Sequence, residues 1–98
     1  MLTIAIPQLY CGASGRKGAY NRQEVGLARA FAALGCRALA IYPDTSLSAP
    51  EAEDLEPNVR VLYLPARALA VHAFYKSWQP LLDEEVDAVH VMGDNSLG

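Results

Sequence analysis

The sequence has no excess of basic residues: eight Lys and Arg stand against eleven Asp and Glu, a formal charge of −3. A domain that neutralises nucleic-acid phosphates carries the opposite balance, which argues against nucleic acid as a partner. No apolar run approaches the ~20 residues of a helix that spans a bilayer. Met1 to Pro7 has no basic segment and too short an apolar stretch for a secretory leader. Cysteine is scarce, with Cys11 and Cys36 alone. They fall after the first predicted strand and before the second, at opposite ends of parallel neighbours. The helix between them rises ~20 Å, whereas a disulfide needs Cα atoms within ~7 Å. Two free thiols are therefore expected, which fits a cytoplasmic setting.

What is present points to one folded domain. Apolar residues make up 52% of the 98 and charged residues 19%, which excludes a disordered tail. Leu2 to Ile6, Ala38 to Tyr42, Val59 to Leu64 and Ala88 to Met92 are apolar runs, and Pro7, Pro43 and Pro65 close the first three. Continuous apolarity suits parallel strands buried on both faces. Asn21 reads as a helix N-cap with Glu24 three residues on, and Leu27, Ala28, Phe31, Ala32 and Leu34 share a helical face. Gly35 fits the left-handed position that ends a helix. Asp44 to Asn58 reads as a surface connection with one helical turn over Glu51 to Leu55. A second helix is predicted over Leu69 to Gln79, divided by Pro80 from a turn over Leu81 to Glu85. The expected fold class is α/β: a partial Rossmann-like parallel sheet of strand order 3-2-1-4 with flanking helices. The fourth strand would be left as an open edge, available to self-association.

The segment between the first strand and first helix holds Gly12, Ser14, Gly15, Arg16, Lys17 and Gly18. In an open parallel sheet, ligands bind beyond the carboxyl ends of the strands, where this segment belongs. Glycines let backbone N–H groups approach an anion, and a helix N-terminus adds partial positive charge. Gly12, Ser14, Gly15, Lys17, Gly18 and Asn21 are therefore candidate ligands for a diphosphate or similar anion. The spacing is neither a Walker A motif nor G-x-G-x-x-G. Asp94 and Asn95, after the last strand, suit either a helix N-cap or a bond to a sugar hydroxyl. His90 in a strand reads first as a hydrogen-bonded structural residue.

Longer motifs carry a resemblance. Leu27-Ala28-Arg29-Ala30-Phe31-Ala32-Ala33-Leu34-Gly35-Cys36 resembles the first helix of GT-B glycosyltransferases of family four, L-A-x-x-L-x-x-x-G-H. Val59-Arg60-Val61-Leu62-Tyr63-Leu64-Pro65 is similar to their third strand. Asp87-Ala88-Val89-His90-Val91-Met92-Gly93 is similar to their D-V-V-H-V-H-G strand. Cys36 and Met92 replace histidines of the pattern, and Gly18-Ala19-Tyr20-Asn21 replaces its G-G-A-E. The resemblance implies the first part of an acceptor-side domain over residues 1–98. A separate C-terminal domain would hold the nucleotide-sugar. It implies retaining hexosyl transfer to a sugar or lipid-linked acceptor, as in cell-surface polysaccharide synthesis, with no metal or other cofactor. It also implies that these 98 residues alone are not catalytic, and it gives His90 a place in the cleft.

Two other classes remain open on the residues. One is a non-catalytic Rossmann-like binding module, or half of a split enzyme. The other is a fragment of a nucleotide-cofactor oxidoreductase, disfavoured by the glycine spacing. Arg67, His72, Phe74, Tyr75, Lys76 and Trp78 form a basic and aromatic stretch. It fits a helix packing its aromatic face on the sheet, or peripheral contact with the inner membrane face.

Overall fold

A computed structural model describes residues 1–8, 23–69 and 72–91. The chain is α/β, and the described residues form a mixed sheet of six strands and two helices. The elements in chain order are β1 (Thr3–Pro7), α1 (Gln23–Ala33), β2 (Arg37–Asp44), β3 (Glu51–Glu56), β4 (Val59–Leu69), β5 (His72–Tyr75), α2 (Gln79–Asp83) and β6 (Ala88–Val89).

The sheet order is β3-β4-β2-β1-β6, with β5 paired to β4. This differs from the expected four-strand order by the addition of β3 and β5, which leave the sheet not wholly parallel; the four expected strands, here β4, β2, β1 and β6, keep their expected sequence. Pairing is parallel between β1 and β2, β2 and β4, and β1 and β6. It is antiparallel where β3 and β5 meet β4. β3 replaces the helical turn expected over Glu51 to Leu55, and β5 replaces the middle of the helix expected over Leu69 to Gln79. The physical reason in both places is β4. It extends through Pro65 to Leu69 and offers ladder partners on both sides. Glu51–Glu56 makes a charged edge strand, and Asn58, with φ of 70°, turns the chain back into β4.

The register aligns Ala5 with Leu39 and Ala40 with Val61. Alternate residues of the central strands feed two cores, one on each face. Ile4, Ile6, Ala38, Ala40, Val59 and Val61 pack with Val25 and Ala28 of α1. Ala5, Leu39, Ile41, Leu62 and Leu64 pack with Leu81 of α2. The continuous apolar runs follow from burial on both faces. Pro7, Pro43 and Pro65 lie inside the strands rather than beyond them, in register with Ile41, Leu64 and Asp44.

Helix α1 ends as its sequence predicts. Gly35 has φ of 93°, and the N–H groups of Gly35 and Cys36 donate to the carbonyls of Ala32 and Phe31. Leu34 departs from its predicted face and is 80% exposed, because it lies past the last helical turn. Pro80 opens α2 instead of dividing a longer helix; its missing N–H costs nothing in a first turn. Cys36 is a free thiol, half-buried against the α1-side core. Cys11 lies outside the described residues.

Candidate functional site

The carboxyl ends of β1, β2 and β4 share one rim of the sheet. Gln8 follows β1 there. Its backbone N–H donates to the Ile41 carbonyl at 2.8 Å, and its own carbonyl accepts the Tyr75 hydroxyl at 2.5 Å. Its side chain crosses to the first turn of α1, where Nε2 donates to Glu24 Oε2 at 2.9 Å. Glu24 is 3% exposed, and its Oε1 is enclosed with no hydrogen-bond partner among the described residues. A carboxylate in the first turn gains from the helix dipole, which offsets part of its desolvation.

At the end of β2, buried Asp44 accepts two bonds on Oδ1, from Ser46 N–H at 2.9 Å and Ser46 Oγ at 2.5 Å. This turn ends the strand. On the α1 side, the rings of Tyr42 and Tyr63 lie 6.2 Å apart.

Gly12, Ser14, Gly15, Lys17, Gly18, Asn21, Asp94 and Asn95 lie outside the described residues. The structure does fix where the glycine-rich segment leaves and returns: after Gln8 and before Gln23, with Gln8 and Glu24 in contact. His90 is exposed, not buried as its strand position predicts, because β6 is a two-residue edge strand. Its N–H donates to the Ala5 carbonyl at 2.8 Å, and its ring meets the Phe31 ring edge-on at 5.8 Å. Sequence reasoning takes Glu24 only as a capping partner and misses the Gln8–Glu24 pair. The available signal was an acid directly before Val25 at the start of an amphipathic pattern.

The opposite rim holds the strongest charge cluster among the described residues. Arg60 grips Asp54 with Nε and Nη2, at 2.6 and 3.2 Å, and donates from Nη1 to Glu84 Oε2 at 2.9 Å. Arg37 pairs with Glu84 Oε1 and also reaches its backbone carbonyl at 3.3 Å. The hydrogen bond from Arg60 holds the Asp54 carboxyl below its ordinary range. Bonding to Asp54 pushes Arg60 up. A cleft of about 490 Å³ opens beside Arg37, Asp54, Pro57 and Arg60. Both guanidinium groups are already paired with carboxylates. This rim therefore ties β2, β3, β4 and α2 together and presents no free cationic cradle.

Among the described residues, no group of three His, Cys, Asp or Glu is placed to hold a metal ion. None of the helices among them is long and apolar enough to cross a membrane. No protein family, curated protein or solved structure matches the chain.

Proposed function

We propose that this chain is the acceptor-side part of a retaining sugar transferase that uses a nucleotide-sugar donor and has a Rossmann-like topology. One observation carries the reading. The Gln8–Glu24 bond ties the residue after β1 to the first turn of α1 at the carboxyl end of β1. β1 itself lies between β2 and β6, both parallel to it. Chain connections that depart to opposite sides of a strand leave a crevice at its carboxyl end, where ligands of open α/β sheets bind.

The proposed chemistry follows from residue types. Backbone N–H groups around Gly12, Ser14, Gly15 and Gly18, with Lys17, take the anionic group of donor or acceptor. Asn21, Asp94 and Asn95 bond sugar hydroxyls, and His90 borders the cleft. A second domain brings the donor, and transfer needs both parts.

The test uses the protein as isolated from its native cells. Release of nucleoside diphosphate is measured across a panel of nucleotide-sugars with and without sugar acceptors. The expected result is acceptor-dependent release that falls on the order of 10²-fold in Gly15→Val and Gly18→Val, as misplacement near reacting groups does. Release unchanged by both substitutions, or binding of a nicotinamide dinucleotide in place of nucleotide-sugars, overturns the reading.

A further inference from the structure

Glu24 is buried, yet only one of its carboxylate oxygens is bonded. Gln8 Nε2 donates to Oε2 at 2.9 Å, whereas Oε1 is enclosed with no hydrogen-bond partner among the described residues. The ion pairs among those residues go to Asp54, Glu56 and Glu84, and none reaches Glu24. Buried charges are as a rule paired. The Gln8 amide is neutral, and the start of a helix offers at most about half a positive charge. The group is therefore left net negative and short of one donor, at a cost the folded chain bears with or without a ligand.

The two oxygens share one carbon, so Oε1 lies with Oε2 at the carboxyl end of β1, where ligands of open α/β sheets bind. Gln8 extends the β1–β2 ladder through its bond to the Ile41 carbonyl, which sets it beside Tyr42. Ile6 and Ala40, two residues earlier on each strand, pack on the α1 side, so Gln8 and Tyr42 face that side too. Tyr63 stands opposite Tyr42 in β4, with the two rings 6.2 Å apart. Gln8 and Tyr42 are half-buried, which leaves this row reachable from the rim. The faces of tyrosine rings carry negative potential and attract a cation that comes within ~6 Å of the ring centre.

We infer that this end of the sheet takes a ligand bearing an ammonium group, whose N–H donates to Glu24 Oε1 on the tyrosine side. A hydroxyl satisfies the oxygen but leaves the charge; an ammonium answers both. A buried ion pair gains little when both charges must leave water to form it. Here the carboxylate is already out of water, so binding desolvates the ammonium alone. The inference rests on the sugar-transfer reading for the carrier of that group, an acceptor sugar with a free amine at one ring position.

The test uses the protein made in its native cells. Affinities are measured at mildly acidic pH for methyl glucosides and galactosides that carry one amine in place of a hydroxyl. Each is compared with its hydroxyl parent and its N-acetyl derivative. Expected is one amino sugar that binds on the order of 10²-fold tighter than both. In Glu24→Gln, which keeps the shape and removes the charge, that preference should fall to about twofold, the scatter of uncoupled groups. The unsubstituted protein gives a second readout. Carbodiimide joins a carboxylate to an amine in contact with it, and the tryptic peptide Gln23–Arg29 contains no acid but Glu24. The mass of the coupled amino sugar should appear on that peptide. Equal affinity for amine and hydroxyl, a preference that survives Glu24→Gln, or coupling to other carboxylates alone overturns the inference. Tightest binding by a hydroxyl parent also overturns it, assigning Oε1 to a sugar hydroxyl. The sugar-transfer reading fails separately. Amine binding at Glu24 without release of nucleoside diphosphate upholds the pairing and overturns transfer; acceptor-dependent release indifferent to Glu24→Gln does the reverse.

Discussion

Gly35 and Glu85 occupy the same position in two copies of one helix-ending motif. Past α1, the N–H groups of Gly35 and Cys36 bond back to Ala32 and Phe31; past α2, those of Glu85 and Val86 bond back to Leu82 and Leu81. Both residues are left-handed, with φ of 93° and 58°. Such a backbone costs a residue with a Cβ about 1–2 kcal/mol. Glu85 is exposed, so replacing it removes no packing. Glu85→Gly should raise stability by about 0.5–1 kcal/mol once glycine's extra unfolded-state entropy is deducted. Gly35→Ala should lower it by about 1 kcal/mol, a backbone effect alone because an added Cβ meets nothing within 4 Å. Urea midpoints of the two variants should therefore move in opposite directions.

The Gln8–Glu24 pair makes a different prediction. Gln8→Ala leaves a buried carboxylate stripped of its amide donor, at a cost of about 1–3 kcal/mol. Removing the carboxylate as well, in Gln8→Ala with Glu24→Met, should recover part of that loss, since the uncompensated charge goes with it. A double variant less stable than Gln8→Ala by the full cost of a second deletion would show that the two side chains act independently. Urea denaturation of the single and double variants decides between these outcomes.

How legible these features were depends on where each residue's partners lie. The strands that became β1, β2 and the first half of β4 were readable because both faces are buried, which makes each run continuously apolar. The end of α1 was readable because Gly35 is a local, single-residue requirement. β3 was hidden by its role: a charged edge strand that sends only Leu55 toward the core has no apolar period to detect. Pro57-Asn58 ahead of Val59 was the one turn signal there. For β5, Ala-Phe-Tyr is compatible with helix or strand, and only pairing with β4 decides. Glu24 was visible as a helix-start acid but not as a buried partner of Gln8, because that contact is made across 16 residues of chain. His90 was misjudged for the converse reason: an apolar run looks the same at a sheet's centre and at its exposed edge.

Acid should act on the Asp54–Arg60 contact. Arg60 holds the folded-state Asp54 carboxyl below its ordinary value, so the folded form binds that proton less tightly than the unfolded chain does. The contribution is fully present above the unfolded value of about 4 and is lost as pH falls through the lowered folded value. Asp54→Asn should thus be less stable than the parent at neutral pH, and the gap should close in acid. Asp54 is exposed, so molar salt should also narrow it. Urea midpoints of both proteins across a pH series test the sign directly. A gap that widens in acid would mean the contact is not what Asp54 contributes.

The packing of α2 can be tested with neighbouring leucines. Leu81 is 8% exposed and joins Leu39, Ile41, Leu62 and Leu64 on one face of the sheet, whereas Leu82 is 70% exposed. Leu81→Ala should cost about 2–4 kcal/mol, because it removes the contact that seats a short helix and leaves a cavity beneath it. Leu82→Ala should stay within about 0.5 kcal/mol of the parent, as surface substitutions do. The helix has five residues and could not hold its shape alone, so its backbone amides should lose hydrogen-exchange protection in Leu81→Ala. Arg37 and Arg60 hold Glu84 at the end of the same helix, and that tie should keep the C-terminal turn protected longest. Equal costs for the two leucines would mean that α2 meets the sheet through a different face. In that case the charge cluster, and not Leu81, would be what seats it.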